Sequence, residues 1–277
     1  MSIYNHYQHI TLTSDQAAAL EKLQRFLDGD ERAFILQGYA GSGKTTLIKG
    51  LVAYLQAVSR RYQLMAPTGR AAKVIHQKTG HGATTIHKGI YSLENLREIK
   101  EENHEIGFLY EYQIRNNPDI HNAVLIIDEA SMVSDVENQG EFFRFGSGYL
   151  LQDLITYARI QDAGTTSKII FVGDPAQLPP IGMNFSPALD PVYLSEHYQI
   201  GAETVGMKEI KRQDNKPGIL QAANKLRQCL TAGYFNDFDL RANGIDLFNP
   251  SYQEYYDIYK TCQEAKIIIC HQNKTAQ

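Results

Sequence analysis

A short apolar run, Ala33–Gln37 (AFILQ), leads directly into GYAGSGKTTL at Gly38–Leu47. Behind it lies the apolar-periodic stretch KTTLIKGLVAYLQAV. Glycines at 38, 41 and 43 weaken the backbone locally, and a lysine and two threonines follow at once. Gly38 to Thr45 fits G-x-x-x-x-G-K-[ST] in full, between a strand and a helix, which is the context in which that pattern forms a phosphate loop. The glycines let successive N–H groups turn inward toward phosphate oxygens. The helix N-terminus adds partial positive charge. In this reading Gly38, Tyr39, Ala40, Gly41, Ser42, Gly43, Lys44, Thr45 and Thr46 hold the nucleotide. Lys44 reaches the β- and γ-phosphates, and Thr45 ligates Mg²⁺. A plain glycine turn before a helix would not need the Lys-Thr pair.

The remaining pattern fits the same class of fold. Apolar runs at Tyr62–Ala66, Ala123–Ile127, Lys168–Gly173 and Lys266–Cys270 read as strands, as does the shorter VYLSE at 192–196. Helical spacing marks LTSDQAAALEKLQRFLDGD, GRAAKVIHQKTG, YLLQDLITYARI and GILQAANKLRQCL. Thr13 and Gln16 fit a capping box at the start of the first of these. GEFFRFGSG and DPAQLPPIG read as loops. Strands alternating with helices imply an α/β fold with a parallel sheet covered on both faces.

Residues 88–122 depart from this alternation. They are charged, then aromatic, then turn-like, and read as an insertion. Phe108, Tyr110 and Tyr112 alternate there. On a strand they would share one face, either stacking on bases or packing on the parent domain.

The acids complete the first site. In LIIDEAS, Asp128 and Glu129 stand at the C-terminal end of a strand, where parallel sheets bind ligands. Asp128 suits a magnesium role, and Glu129 suits the base that activates water. With the phosphate loop they imply hydrolysis of a nucleoside triphosphate, ATP by expectation.

Other classes are disfavoured. The net charge of −4 means that a nucleic-acid partner must be gripped by a local patch. Three widely spaced cysteines form no CxxC pair, which fits reduced thiols rather than a disulfide scaffold or zinc site. No stretch reads as a signal peptide or a membrane span, so a cytoplasmic location is expected.

GYAGSGKTTL, APTGRAAKVI, ATTIHKG, LIIDEASMV, FVGDPAQLPPIG and EIKRQ occur in that order. Together they resemble the N-terminal motifs of superfamily 1 DNA helicases of the RecD-like and Dda-like group, over about residues 10 to 277. The resemblance implies RecA-like domains, 5′-to-3′ movement on single-stranded DNA, and roles in repair or recombination with other recombination or replication proteins as partners. It gives Gln16 the role of recognising adenine, besides that of helix cap. Gln177 becomes the sensor of the γ-phosphate. Arg212 becomes the arginine that approaches the γ-phosphate from the second domain. Pro67, Thr68, Arg70, Thr85 and His87 come to lie under DNA, with Lys73 and Lys88 adding charge; His87 alone also reads as a packing histidine.

The expected domains are 1–186, RecA-like with the 88–122 insertion, and 187–277, the start of a second RecA-like domain. Later motifs of the family are missing, so that second domain is expected to be incomplete and unwinding weak. A nucleotide-dependent DNA-binding module without turnover is the alternative; a phosphate-loop kinase does not account for the later motifs.

Overall fold

The computed structural model describes residues 2–99, 109–117, 120–138, 140, 142–209, 217–234, 242, 244 and 248–263. The central strand is β1, Ala33–Gly38. The phosphate-loop sequence leaves its C-terminal end and enters helix α2, Lys44–Ala57; helix α1, Ser14–Asp28, precedes the strand. Next come β2 (Tyr62–Ala66), α3 (Gly69–Thr79), β3 (Thr84–Thr85) and α4 (Ile86–Ile90). After β4 (Tyr91–Ile99) and β5 (Leu109–Ile114) the chain returns to the main sheet as β6, Val124–Ile127. Then follow β7 (Phe143–Phe145), α5 (Leu150–Ala158), β8 (Lys168–Gly173), α6 (Pro191–Tyr198) and β9 (Ala202–Met207).

Six strands form one sheet in the order β3-β2-β6-β8-β1-β9, parallel throughout. One strand, β8, separates the phosphate-loop strand from the strand that ends in the two acids. This is the RecA-like α/β architecture expected from the sequence. The strands alternate between two cores, as period-2 side-chain placement requires. Phe34, Leu36, Val124, Ile126, Ile170 and Val172 face α1, α2 and α3. Ile35, Leu125, Ile127, Ile169 and Phe171 face α4, α5 and α6. Both faces are therefore dry, and the runs read as continuously apolar.

Three expectations are corrected. VYLSE is part of α6 rather than a strand. Asp190 caps that helix by accepting from the Val192 and Tyr193 N–H groups, with Pro191 at its first position. The expected loop GEFFRFGSG contains β7. The compact unit runs from Met1 to Gln213, so the boundary drawn after 186 falls inside it. The reason is β9, which pairs with β1 along its whole length and completes the sheet's edge. Asp15 at the start of α1 holds the end of β9 by accepting from the Lys208 and Glu209 N–H groups.

Strands β4 and β5, within the expected 88–122 insertion, join β7 from beyond it in a second sheet, β4-β5-β7. β4 and β5 form an antiparallel pair, and β7 joins β5 in parallel. Tyr112 stacks on Phe145 at 4.8 Å, and Tyr110 and Tyr112 both lie against Phe143. These rings pack on the chain's own aromatics; Phe108 lies outside the described residues. The Tyr91 hydroxyl donates to buried Asp153 on α5, tying this sheet to the main body.

The second unit, Asp214–Gln277, has α7 (Pro217–Ala232) and α8 (Tyr252–Thr261) among its described residues. Ser251 and Glu254 form a capping box at the start of α8. The expected strand Lys266–Cys270 lies outside the described residues. Among the described residues no helix is long and apolar enough to cross a membrane.

Candidate nucleotide site and adjoining strand ends

Gly38 ends β1 deep in the fold, and the loop from Tyr39 to Gly43 curls back over the N-terminus of α2. Gly41 and Gly43 adopt left-handed backbone, with φ of 84° and 92°. A side chain is strained in that region, which explains glycine at both positions. The Lys44 ammonium lies along the loop and donates to the Gly38 carbonyl at 2.6 Å and the Tyr39 carbonyl at 3.2 Å. The Ser42 hydroxyl is buried and has no hydrogen-bond partner among the described residues.

A cleft of about 700 Å³ opens above these residues. That is ample for a nucleotide, since small-molecule pockets run from about 300 to 1,000 Å³. Gln16, Tyr39, Ala40, Gly41, Gly43, Lys44, Thr45 and Thr46 line it from the loop side, and Asp128, Glu129 and Gln177 from the other strand ends. The motifs separated in sequence therefore converge. The glycine cradle, the lysine and the helix N-terminus fit a chain of phosphates. Thr45 and Asp128 supply oxygen donors of the kind magnesium prefers.

Asp128 and Glu129 sit just past β6. Asp128 donates its own N–H to the Met65 carbonyl of β2 at 2.9 Å. Burial, reinforced by neighbouring Glu129, pushes the Asp128 carboxyl up to about 6, while Lys44 and Lys78 pull the other way. Glu129 is held in left-handed backbone at φ 53°. For a non-glycine residue such backbone is uncommon and clusters at functional sites.

A pH-dependent result follows. A carboxyl raised in the fold binds its proton more tightly folded than unfolded, so the unfavourable contribution of Asp128 to stability shrinks as the pH falls from 6 toward 4. At pH 7 the ionised carboxylate is a burden, which Asp128→Asn removes. Without metal or nucleotide, that variant is expected to gain on the order of 2 kcal/mol at pH 7, and about half of that at pH 5. Urea unfolding at the two pH values measures it.

Gln177 follows β8 in a loop that Asp174 organises: the Gln177 N–H donates to the Asp174 carbonyl and the Ala176 N–H to the Asp174 carboxylate. Arg212 lies outside the described residues.

The five residues expected under DNA share one end of the sheet. Met65 and Ala66 of β2 pair with Thr84 and Thr85 of β3, so the segments after them emerge side by side. Thr68 caps α3 by accepting from the Ala71 N–H, and Thr85 caps α4 by accepting from the Lys88 N–H. Pro67 and Arg70 flank the first cap, and Arg70 is exposed. His87 turns inward. Its ring lies 5.6 Å from that of Tyr91 and 5.1 Å from that of Phe145, and burial holds its pKa below the usual histidine value. Packing is thus its described environment.

Lys49, Lys78, His9 and Ile10 also line the cleft, and sequence reasoning missed them. A signal existed for the lysines. Between Glu31 and Glu94 the chain has no acidic residue, yet it carries Arg32, Lys44, Lys49, Arg60, Arg61, Arg70, Lys73, Lys78 and Lys88. The slight overall negative charge conceals this basic tract.

Comparison with known proteins agrees with this geometry. A family model described as an AAA domain matches residues 26–183. An uncharacterized protein of Methanocaldococcus jannaschii is 36% identical over 155 residues, covering 54% of this chain and 12% of that protein. The ATP-dependent RecD2 DNA helicase of Deinococcus radiodurans is 26% identical over 216 residues, covering 78% of this chain and 24% of that one. The ATP-dependent DNA helicase dda of Enterobacteria phage T4 is 31% identical over 123 residues, covering 44% and 26%. The chain thus spans about a quarter or less of the length of these relatives. The family match covers more than half of the chain and includes both nucleotide motifs, so the chain belongs to the AAA domain family.

Proposed function

We propose that this chain binds ATP with magnesium and couples hydrolysis to single-stranded DNA, as the ATPase part of a helicase or translocase. One connection carries the reading. Asp128, at the nucleotide cleft, is hydrogen-bonded through its N–H to Met65, which pairs with Thr84. The cleft and the two segments expected under DNA are therefore neighbours in one sheet, with no flexible linker between them. Two relatives carry the name of ATP-dependent DNA helicase, which supports the same reading.

In this proposal the loop N–H groups and Lys44 bind the phosphates. Lys44 exchanges its loop carbonyls for phosphate oxygens as the nucleotide enters. Thr45 and Asp128 hold magnesium, which offsets charge on the phosphates. Glu129 accepts the proton of the attacking water. Gln177, on its Asp174-braced loop, contacts the γ-phosphate, and Arg212 acts on the same group. Thr68, Thr85 and nearby N–H groups contact DNA phosphates, with Arg70, Lys73 and Lys88 supplying charge. Such a grip is independent of sequence and weakens with salt.

The salt dependence offers the test. Replacing Arg70 and Lys73 together by alanine is expected to weaken binding of a labelled oligothymidylate. It should also flatten the log–log salt slope by roughly 0.7 for each DNA phosphate that is no longer neutralised. Fluorescence anisotropy across a salt series measures both. An unchanged slope would place the DNA elsewhere.

A further inference from the structure

Asp135 stands six positions after Glu129, on the segment that leaves β6. Its carboxylate accepts two hydroxyls from α6. Tyr193 donates to one oxygen and Tyr198 to the other, both at 2.6 Å. Burial, reinforced by the carboxylate itself, raises both phenols, Tyr193 to about 12, so both remain protonated donors. α6 is the first α-helix after the Gln177 loop. One carboxylate thus joins the continuation of the segment bearing Glu129 to the continuation of the loop bearing Gln177.

Further contacts lie along the same seam. Gly182 sits beside Val136: a Cβ there would come 3.9 Å from both Val136 methyl groups. Beyond it the Phe185 ring lies 5.4 Å from that of Tyr193. The Gln37 amide of β1 donates to the Leu189 carbonyl, just before α6, at 2.9 Å. Around Gln177 itself the loop is lightly held, with Leu178 80% and Ile181 97% exposed. The position of Gln177 is therefore set from the two ends of its loop. The Asp174 turn fixes one end, and the Asp135 clamp on α6 fixes the other.

We propose that Asp135, Tyr193 and Tyr198 are positioning residues for hydrolysis: they hold the Gln177 loop in register with Glu129, so that γ-phosphate contact and water activation occur in one arrangement. None of the three lines the nucleotide cleft, so they act through Gln177 rather than on the nucleotide. This rests on the reading of the cleft as an ATPase site.

The informative variant is Tyr193→Phe/Tyr198→Phe, which removes both hydroxyls and keeps both rings. DNA-stimulated kcat is expected to fall about tenfold with the KM for ATP unchanged, as for an interaction that counts only in the transition state. In a Gln177→Ala background the same pair of changes is expected to cost less than about twofold more, because the group they act through is already gone. In the nucleotide-free protein, hydrogen exchange is expected to quicken at the Ala176, Gln177 and Met183 amides, whose bonds close the loop, while the α2 amides hold. An undiminished kcat would overturn the proposal. So would an equal loss with and without Gln177, which would make the tyrosines general supports of the fold. Loop amides that exchange at the wild-type rate would overturn it as well. Absence of turnover in the wild type would sink the ATPase reading itself, while the exchange measurement would still decide whether the clamp holds the loop.

Discussion

Glu129→Gln is expected to reduce the ATP hydrolysis rate at least 100-fold while leaving Mg-ATP affinity within about a factor of two, as befits loss of a general base. The substitution preserves size and removes only the capacity to take a proton. The Glu129 side chain makes no capping hydrogen bond to the turn that follows it, so the substitution removes no cap. Its left-handed backbone suits glutamine no worse than glutamate. Removing the carboxylate also relieves the neighbouring Asp128, whose raised pKa owes part of its shift to Glu129. Metal-dependent binding therefore has no reason to weaken. Phosphate release and equilibrium nucleotide binding, measured on one preparation, separate the two effects. Unchanged turnover would remove Glu129 from the chemistry.

Lys44→Ala is expected to act earlier, on binding. Loss of a charge-assisted hydrogen bond to phosphate costs about 1.5–3 kcal/mol, or roughly 10- to 100-fold in ATP affinity, and hydrolysis falls further because the same charge serves the transition state. The two loop carbonyls that Lys44 now satisfies lie beside an open cleft, where water can replace it, and alanine favours the helix start. Thermal stability without nucleotide should thus stay close to that of the wild type. Isothermal titration with ATP and ADP, alongside a melting curve, distinguishes a site defect from misfolding.

What the sequence disclosed and what it hid divide along physical lines. β1, β2, β6 and β8 are buried on both faces, so each appears as an apolar run. The phosphate loop is local, since its glycines and lysine all act within eight residues. The edges of the sheet were harder to see. β9 reads AETVGM, and only Val205 and Met207 in it are buried, because one side of an edge strand lacks a neighbour. β7 is three residues between glycines, held by pairing with a strand some thirty positions earlier, which no local pattern encodes. The VYLSE segment shows the opposite failure. Its β-branched and aromatic residues suggested a strand, yet Asp190 and Pro191 before it were a helix-start signal. α8 was hidden by its tyrosines at 252, 255, 256 and 259, although Ser251 and Glu254 mark its cap. In the site, the motif residues were legible because each chemical role demands its residue type. The engagement of Gln16 with Ser42 was not, because it joins a helix cap to a loop 26 positions away.

The claim that nucleotide chemistry and DNA binding are coupled within this chain is tested most directly by steady-state ATP hydrolysis with and without single-stranded DNA. The basal rate is expected to rise to a plateau as oligothymidylate is added and to be lost in Glu129→Gln. Nucleotide bound tightly, with no turnover whether DNA is present or not, would contradict it and leave a nucleotide-dependent binding module in its place.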